Sequence, residues 1–141
     1  MMKPNRFSRD DRSGEESETT YCVLGGGHLG AAIARRLRED GHTVRTVDES
    51  NVPSEPAVLR GNPTDVRVLE EAEVASASTA IVATGSDRRN LLIAQLVRVH
   101  FDVPNVVVLA NTPERLDLIA EAGHEAVCAT SALSDVMVDR A

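Results

Sequence analysis

The chain has 141 residues, a formal net charge of −7 and 2% aromatic residues. That is the length of one ordinary domain, and an acidic chain with no basic face or aromatic platform is not built to grip nucleic acid. Two cysteines, Cys22 and Cys128, are too few for a disulfide framework, and no apolar run approaches the roughly 20 residues of a membrane-spanning helix.

Residues 1–18 are polar and charged, with no apolar core of a secretory signal, and are expected to form a disordered leader before a folded domain over residues 19–141. That points to a cytoplasmic protein without direct membrane insertion. From Thr20 the pattern becomes regular. TYCVLG (20–25) is a short apolar run ending in glycine and predicts a buried strand. HLGAAIARRLRED (28–40) carries Leu29, Ile33, Ala34 and Leu37 at helical spacing, and Gly41 stops it. HTVRTVD (42–48) alternates into a second strand, ESNVPSEP (49–56) reads as a loop, and AVLRG (57–61) as a third strand. A helix is expected from about Asp65 to Ala72. TAIVAT (79–84) is a fourth strand and Asp87 to about His100 the next helix, with Leu91, Leu92, Leu96 and Val99 among its apolar positions. NVVVLA (105–110) is a fifth strand, Pro113 sits in the first turn of a helix that ends at Gly123, EAVCA (125–129) is a sixth strand, and SALSDVMVDR (131–140) a last helix. His42 and His124 both follow a helix-ending glycine and read as loop residues.

Strand and helix thus alternate about six times. Strands some twenty residues apart need crossover connections and so form a parallel sheet. Right-handed crossovers then wind helices onto both faces, giving an α/β, doubly wound, six-stranded sheet of Rossmann type.

Gly25-Gly26-Gly27-His28-Leu29-Gly30 fits G-x-G-x-x-G, directly after a strand and opening a helix, the context in which the motif is informative. Glycines there allow a tight turn, a close backbone approach to a pyrophosphate and close helix packing, and the helix-opening amides attract phosphate. Asp48 ends the second strand, eighteen residues after Gly30, where a carboxylate accepts ribose hydroxyls and repels a 2′-phosphate. Glu49 beside it joins the candidate binding residues, and neither Glu49 nor Ser50 supplies a cation, so NAD(H) is expected over NADP. The turns flanking the switch in strand order add Thr84, Gly85 and Asp87, the last equally suited to capping its helix, and Asn62 lies toward the adenine end. His28 is either a pyrophosphate contact or an exposed loop histidine. There is no Tyr-x-x-x-Lys pair, the only lysine is Lys3, and no Cys and His fall at metal-ligand spacing. The residues therefore point to binding without turnover. An NAD-dependent oxidoreductase fragment is the enzymatic alternative, and a dimeric nucleotide sensor with a soluble partner is another.

Four segments, VLGGGHLGAAIARRLREDGHTVRTVD, LRGNPTDVRVLEEA, AIVATGSDRRNLLIAQLVR and VVLANTPERLDLIAEAGHEAV, resemble the N-terminal domain of the RCK/TrkA family, cytoplasmic regulators of potassium channels and transporters. The D-x-x-N of Asp87 and Asn90 is a habit of that family. The resemblance implies a nucleotide-sensing regulatory domain, not an enzyme, that forms dimers or larger rings on a membrane potassium transporter or channel subunit. It implies NAD(H), or alternatively ATP or ADP, on the glycine loop, Asp48 and around Thr84, and regulation through a ligand-dependent change of assembly geometry. Three departures stand out. Asn62 replaces the family's usual aspartate. Leu109 and Ala110 stand where many members have a cation, which weakens the case for a triphosphate. The chain also stops without the usual C-terminal ligand domain, so a separate protein supplies it or the subunit stands alone. The last helix is where members cross to a partner. Its Leu133, Val136 and Met137 either serve that crossover or pack on their own sheet.

Overall fold

The structure is a computed structural model that describes residues 19–50 and 58–141. The expected leader over residues 1–18 and most of the loop after the second strand lie outside the described residues. The elements in chain order are β1 (Thr20–Leu24), α1 (Gly27–Glu39), β2 (Thr43–Asp48), β3 (Val58–Arg60), α2 (Val66–Glu71), β4 (Thr79–Val82), α3 (Asp87–Gln95), β5 (Asn105–Ala110), α4 (Leu116–Glu121), β6 (Glu125–Cys128) and α5 (Ala129–Arg140). The six strands form one sheet in the order β3-β2-β1-β4-β5-β6, and every pairing is parallel. The order reverses between β1 and β4, where Leu24 stands opposite Val82 on one side and Val47 on the other. This is the expected doubly wound sheet, and it opens a crevice at the carboxyl ends of β1 and β4.

The central strands are apolar because both of their faces are covered. Leu24, Val82 and Val108 are fully buried with Leu69, Ile93, Val97 and Ile119 in one large core, built on the face that α2, α3 and α4 cover. The opposite face has a much smaller core, Val23, Ala34 and Val44 under α1. Beside α1 that face is open. Ile81, Val107, Leu109 and Val127 line an apolar groove of about 440 Å³ there. Cys22 and Cys128 are both buried free thiols, as their apolar settings predict. Burial pushes Cys22 up to about 12, against a smaller opposing pull from Arg45.

The structure differs from the sequence expectation at several element ends. The helix after β4 is α-helical only to Gln95, and Leu96–His100 widen into a π-helical turn closed by the Val103 N–H on the Val97 carbonyl. The wider turn lets Val97, Phe101 and Val103 all reach the core. Asp65 is the N-cap of α2, not its first residue, and accepts the Arg67 N–H. A short 3₁₀ turn, Val74–Ser76, follows and buries Val74. Pro113 opens a 3₁₀ turn, Pro113–Arg115, that leads into α4. The largest difference is α5, which buries none of its residues: Leu133 is 64% exposed, Met137 70% and Val138 72%. Of the two alternatives for its apolar face, packing on its own sheet is therefore not what the structure shows.

Candidate nucleotide-binding crevice

A crevice of about 510 Å³ lies at the carboxyl edge of the sheet, where the turn after β1 meets the turn after β4. Its lining includes eight of the twelve residues singled out in the sequence: Gly25, Gly26, Gly27, Leu29, Asp48, Glu49, Thr84 and Gly85. The glycine turn is shaped by sterics. Gly26, the N-cap of α1, has φ 99°, left-handed backbone that favours glycine. A Cβ on Gly30 would collide with the Gly25 carbonyl oxygen, so the fourth glycine lets the helix start fold back against the turn.

The same glycines leave α1 without the devices that normally satisfy a helix start. No side chain caps it and no acidic residue stands in its first turn. Its Gly27 N–H donates to Asp48 Oδ2 at 2.8 Å. Asp48 Oδ1 accepts from the Ser50 N–H at 2.9 Å and its hydroxyl at 2.7 Å. The buried Asp48 side chain is thereby fixed against the mouth of the glycine turn, with Oδ1 fully used and Oδ2 keeping one acceptor site. An electropositive helix start with a carboxylate one strand away suits a phosphate joined to a sugar diol.

The other side of the crevice is built differently. Ser86 caps α3 and accepts the Arg89 N–H. Asp87, in the first turn, accepts from the N–H groups of Asn111 at 2.6 Å and Thr112 at 3.2 Å and from both of their side chains. Burial opposes ionisation of Asp87, but these four hydrogen bonds outweigh it and hold the carboxyl below its ordinary value. Asn90 is fully buried. Its amide N donates to the carbonyls of Thr84 and Leu109, and its Oδ1 accepts from the Thr84 N–H and hydroxyl. The D-x-x-N pair therefore pins the turn after β4 to the end of β5. The Thr84 hydroxyl is spent on Asn90 and Ser86, so Thr84 contributes a wall to the crevice and no free donor.

Four of the singled-out residues lie outside the lining. His28 is exposed on the first turn of α1. Gly30 sits behind the turn. Asn62 holds Thr64 and accepts from Arg89. Asp87 is occupied with residues 111 and 112. His42 and His124 precede β2 and β6 at the opposite edge of the sheet, His42 against the Tyr21 ring and His124 beside Gln95. Among lining residues the sequence did not single out are Ser50, Pro63, Ala83, Arg89 and Asn111. Arg89 had one sequence signal: a cation in the first turn of a helix opposes the helix dipole and calls for a reason.

The family model described as the TrkA-N domain matches residues 21–130. A Trk system potassium uptake protein TrkA homolog of Methanothermobacter thermautotrophicus is 31% identical over 112 residues, covering 74% of this chain and 51% of that protein. The chain spans about half the length of the curated relatives it matches. Two solved structures of the GsuK channel are 25% identical: one bound to NAD, with a TM-score of 0.79 over 87% of this chain and 23% of that one, and one bound to ADP, with a TM-score of 0.78 over 86% and 33%. The family model spans the glycine turn, Asp48, the D-x-x-N clamp and β6, well over half of the chain, and the chain belongs to the TrkA-N domain family.

Proposed function

We propose that this chain is a nucleotide-sensing regulatory subunit, or part of one, for a potassium uptake transporter or channel, and that its crevice takes an adenine nucleotide, NAD(H) first and ATP or ADP as the alternative. The observation that carries the reading is the uncapped start of α1 beside the fixed Asp48 carboxylate, at the reversal of the strand order. The diphosphate would lie on the Gly26 and Gly27 backbone, and the adenosine ribose on Asp48. The curated relatives are potassium uptake proteins, and the GsuK structures hold NAD and ADP, which supports both halves of the proposal. Among the described residues no histidine, tyrosine or lysine lines the crevice, and its two carboxylates are engaged, Asp48 with Gly27 and Ser50 and Glu49 with Arg89. That favours sensing over turnover.

Sensing requires a second state. The nucleotide must bind one assembly geometry better than another, or it shifts nothing. Two apolar surfaces suit a homodimer or larger ring: the exposed face of α5 with the neighbouring open groove, and the exposed Leu92, Val99 and Leu118 of the α3–α4 side. Leu29, Ala83 and Leu109 line both the crevice and the groove, so a ligand in one touches walls of the other. No described helix is long and apolar enough to cross a membrane. The proposed site of action is the cytoplasmic side of a membrane partner. The test is a melting-temperature titration of the chain with NADH, NAD, ADP and ATP. A specific ligand at a hundred times its Kd stabilises by about 2.7 kcal/mol. Four flat titrations would remove the reading.

A further inference from the structure

Arg89 spans the crevice. It belongs to the first turn of α3, after β4, yet its Nη2 reaches Glu49 Oε1 at 3.2 Å, just after β2, and Asn62 Oδ1 at 2.9 Å, just after β3. Because β1 lies between β4 and β2, the side chain must arch over the carboxyl end of β1 and its glycine turn. The guanidinium is thus tethered over the half of the crevice that holds Asp48 and Glu49. Only Nη2 is tied. Among the described residues, Nε and Nη1 meet no acceptor, and the side chain is 36% exposed.

Two ligand chemistries suit such a group: a phosphate, which reads its charge, or a flat aromatic ring, which reads its plane. The surroundings decide between them. Glu49 already pairs the Arg89 charge, and Asp48 adds a second carboxylate on the same half. Two acids against one arginine leave that half with no surplus positive charge for another anion. The plane remains available, and buried Pro63 lines the same crevice as a further apolar wall.

We propose that Arg89 recognises the adenine ring, its guanidinium strapped between Glu49 and Asn62 as the face on which the purine stacks. This rests on the nucleotide reading and specifies which side chain selects the base. Glu49 and Asn62 then act as positioning residues that hold the plane in place. The role explains why a cation is placed in the first turn of α3, where the helix dipole disfavours it.

The test is isothermal titration of the full chain and of Arg89→Ala and Arg89→Lys with NADH, ADP and AMP, which share adenine but differ in everything beyond the first phosphate. Circular dichroism checks that each variant is folded. Stacking on Arg89 predicts that Arg89→Ala weakens all three by the same factor, about tenfold. Arg89→Lys does not restore them, because lysine keeps the charge and loses the plane. Unchanged affinities in Arg89→Ala overturn the proposal. So does a loss that is larger for ADP than for AMP and is rescued by lysine, which would make Arg89 a phosphate contact. Absence of binding by the unmutated chain sinks the nucleotide reading and this proposal together, whereas normal binding by the unmutated chain with no effect of Arg89→Ala sinks this one alone.

Discussion

The two helix starts that face each other across the crevice, α1 after β1 and α3 after β4, solve the same problem in opposite ways. Each opens with backbone N–H groups that have no partner inside the helix. At α3, Ser86 caps the first turn, and Asp87 and the fully buried Asn90 bind the backbone of residues 84, 109, 111 and 112. At α1, three successive glycines with positive φ replace the capping side chains, and the nearest carboxylate stands one strand away at Asp48. One turn is saturated and holds the strand ends together. The other has no capping side chain of its own, keeps only the Asp48 contact at Gly27, and faces the crevice. Two equivalent βα turns on one sheet edge thus divide the labour, one as a rigid wall and the other as the mouth that receives a ligand.

The largest break in this comparison should come from Gly30→Ala. The added Cβ meets the backbone oxygen of Gly25, so the open turn cannot keep its shape. A stability loss at the upper end of about 1–3 kcal/mol is expected in urea unfolding, together with loss of nucleotide binding. Asn90→Ala should rank next, at about 2 kcal/mol, because it strips hydrogen bonds from the buried Thr84 and Leu109 backbone. It strikes the saturated turn, so its mark is lost stability, with affinity per folded molecule much less affected. Asp48→Asn should act more on affinity: the amide nitrogen cannot accept from the Gly27 N–H, so a stability loss of about 1 kcal/mol accompanies a fall in NADH affinity of about tenfold, with less discrimination against NADPH.

Asp87 sharpens the comparison through pH. Its folded pKa is lowered, so its contribution to stability is fully present above the ordinary aspartate range and fades as pH falls through the folded value. Asp87→Ala should melt lower than the unmutated chain at pH 7, and that gap should narrow as pH drops below about 4. A gap that widened in acid would contradict the role given to Asp87. The smallest effect belongs to Gly85→Ala. Gly85 lines the crevice, but its added Cβ meets nothing within 4 Å. Its Tm should be unchanged, in contrast to Gly30.

The strand order and the open turn were legible in the sequence because both follow from local signals: apolar runs at crossover spacing, and glycines between a strand and a helix. Asp48 was legible by its distance from Gly30. The saturated turn was only half legible. Thr84 and Asp87 drew notice as polar residues at the right strand end, but which way their oxygens turn depends on Asn90, Asn111 and Thr112, the last two more than twenty residues away from Asp87. Arg89 was hidden for a similar reason. In the sequence it is the second of two adjacent arginines, and only the folding of β2 and β3 beside β1 brings Glu49 and Asn62 within its reach. The sequence left α5 open between crossing to a partner and packing on its own sheet, since Leu133, Val136 and Met137 have the composition of a packed helix.

The most direct test is to follow the backbone amide resonances of the ¹⁵N-labelled chain while NADH is added. Occupation of the open turn predicts large, saturable shifts at Gly26, Gly27 and His28, with the amides of Asp87 and Asn90 nearly still. Shifts confined to the α3 start, or a spectrum that does not change at millimolar NADH, would contradict the assignment of the glycine turn as the phosphate site.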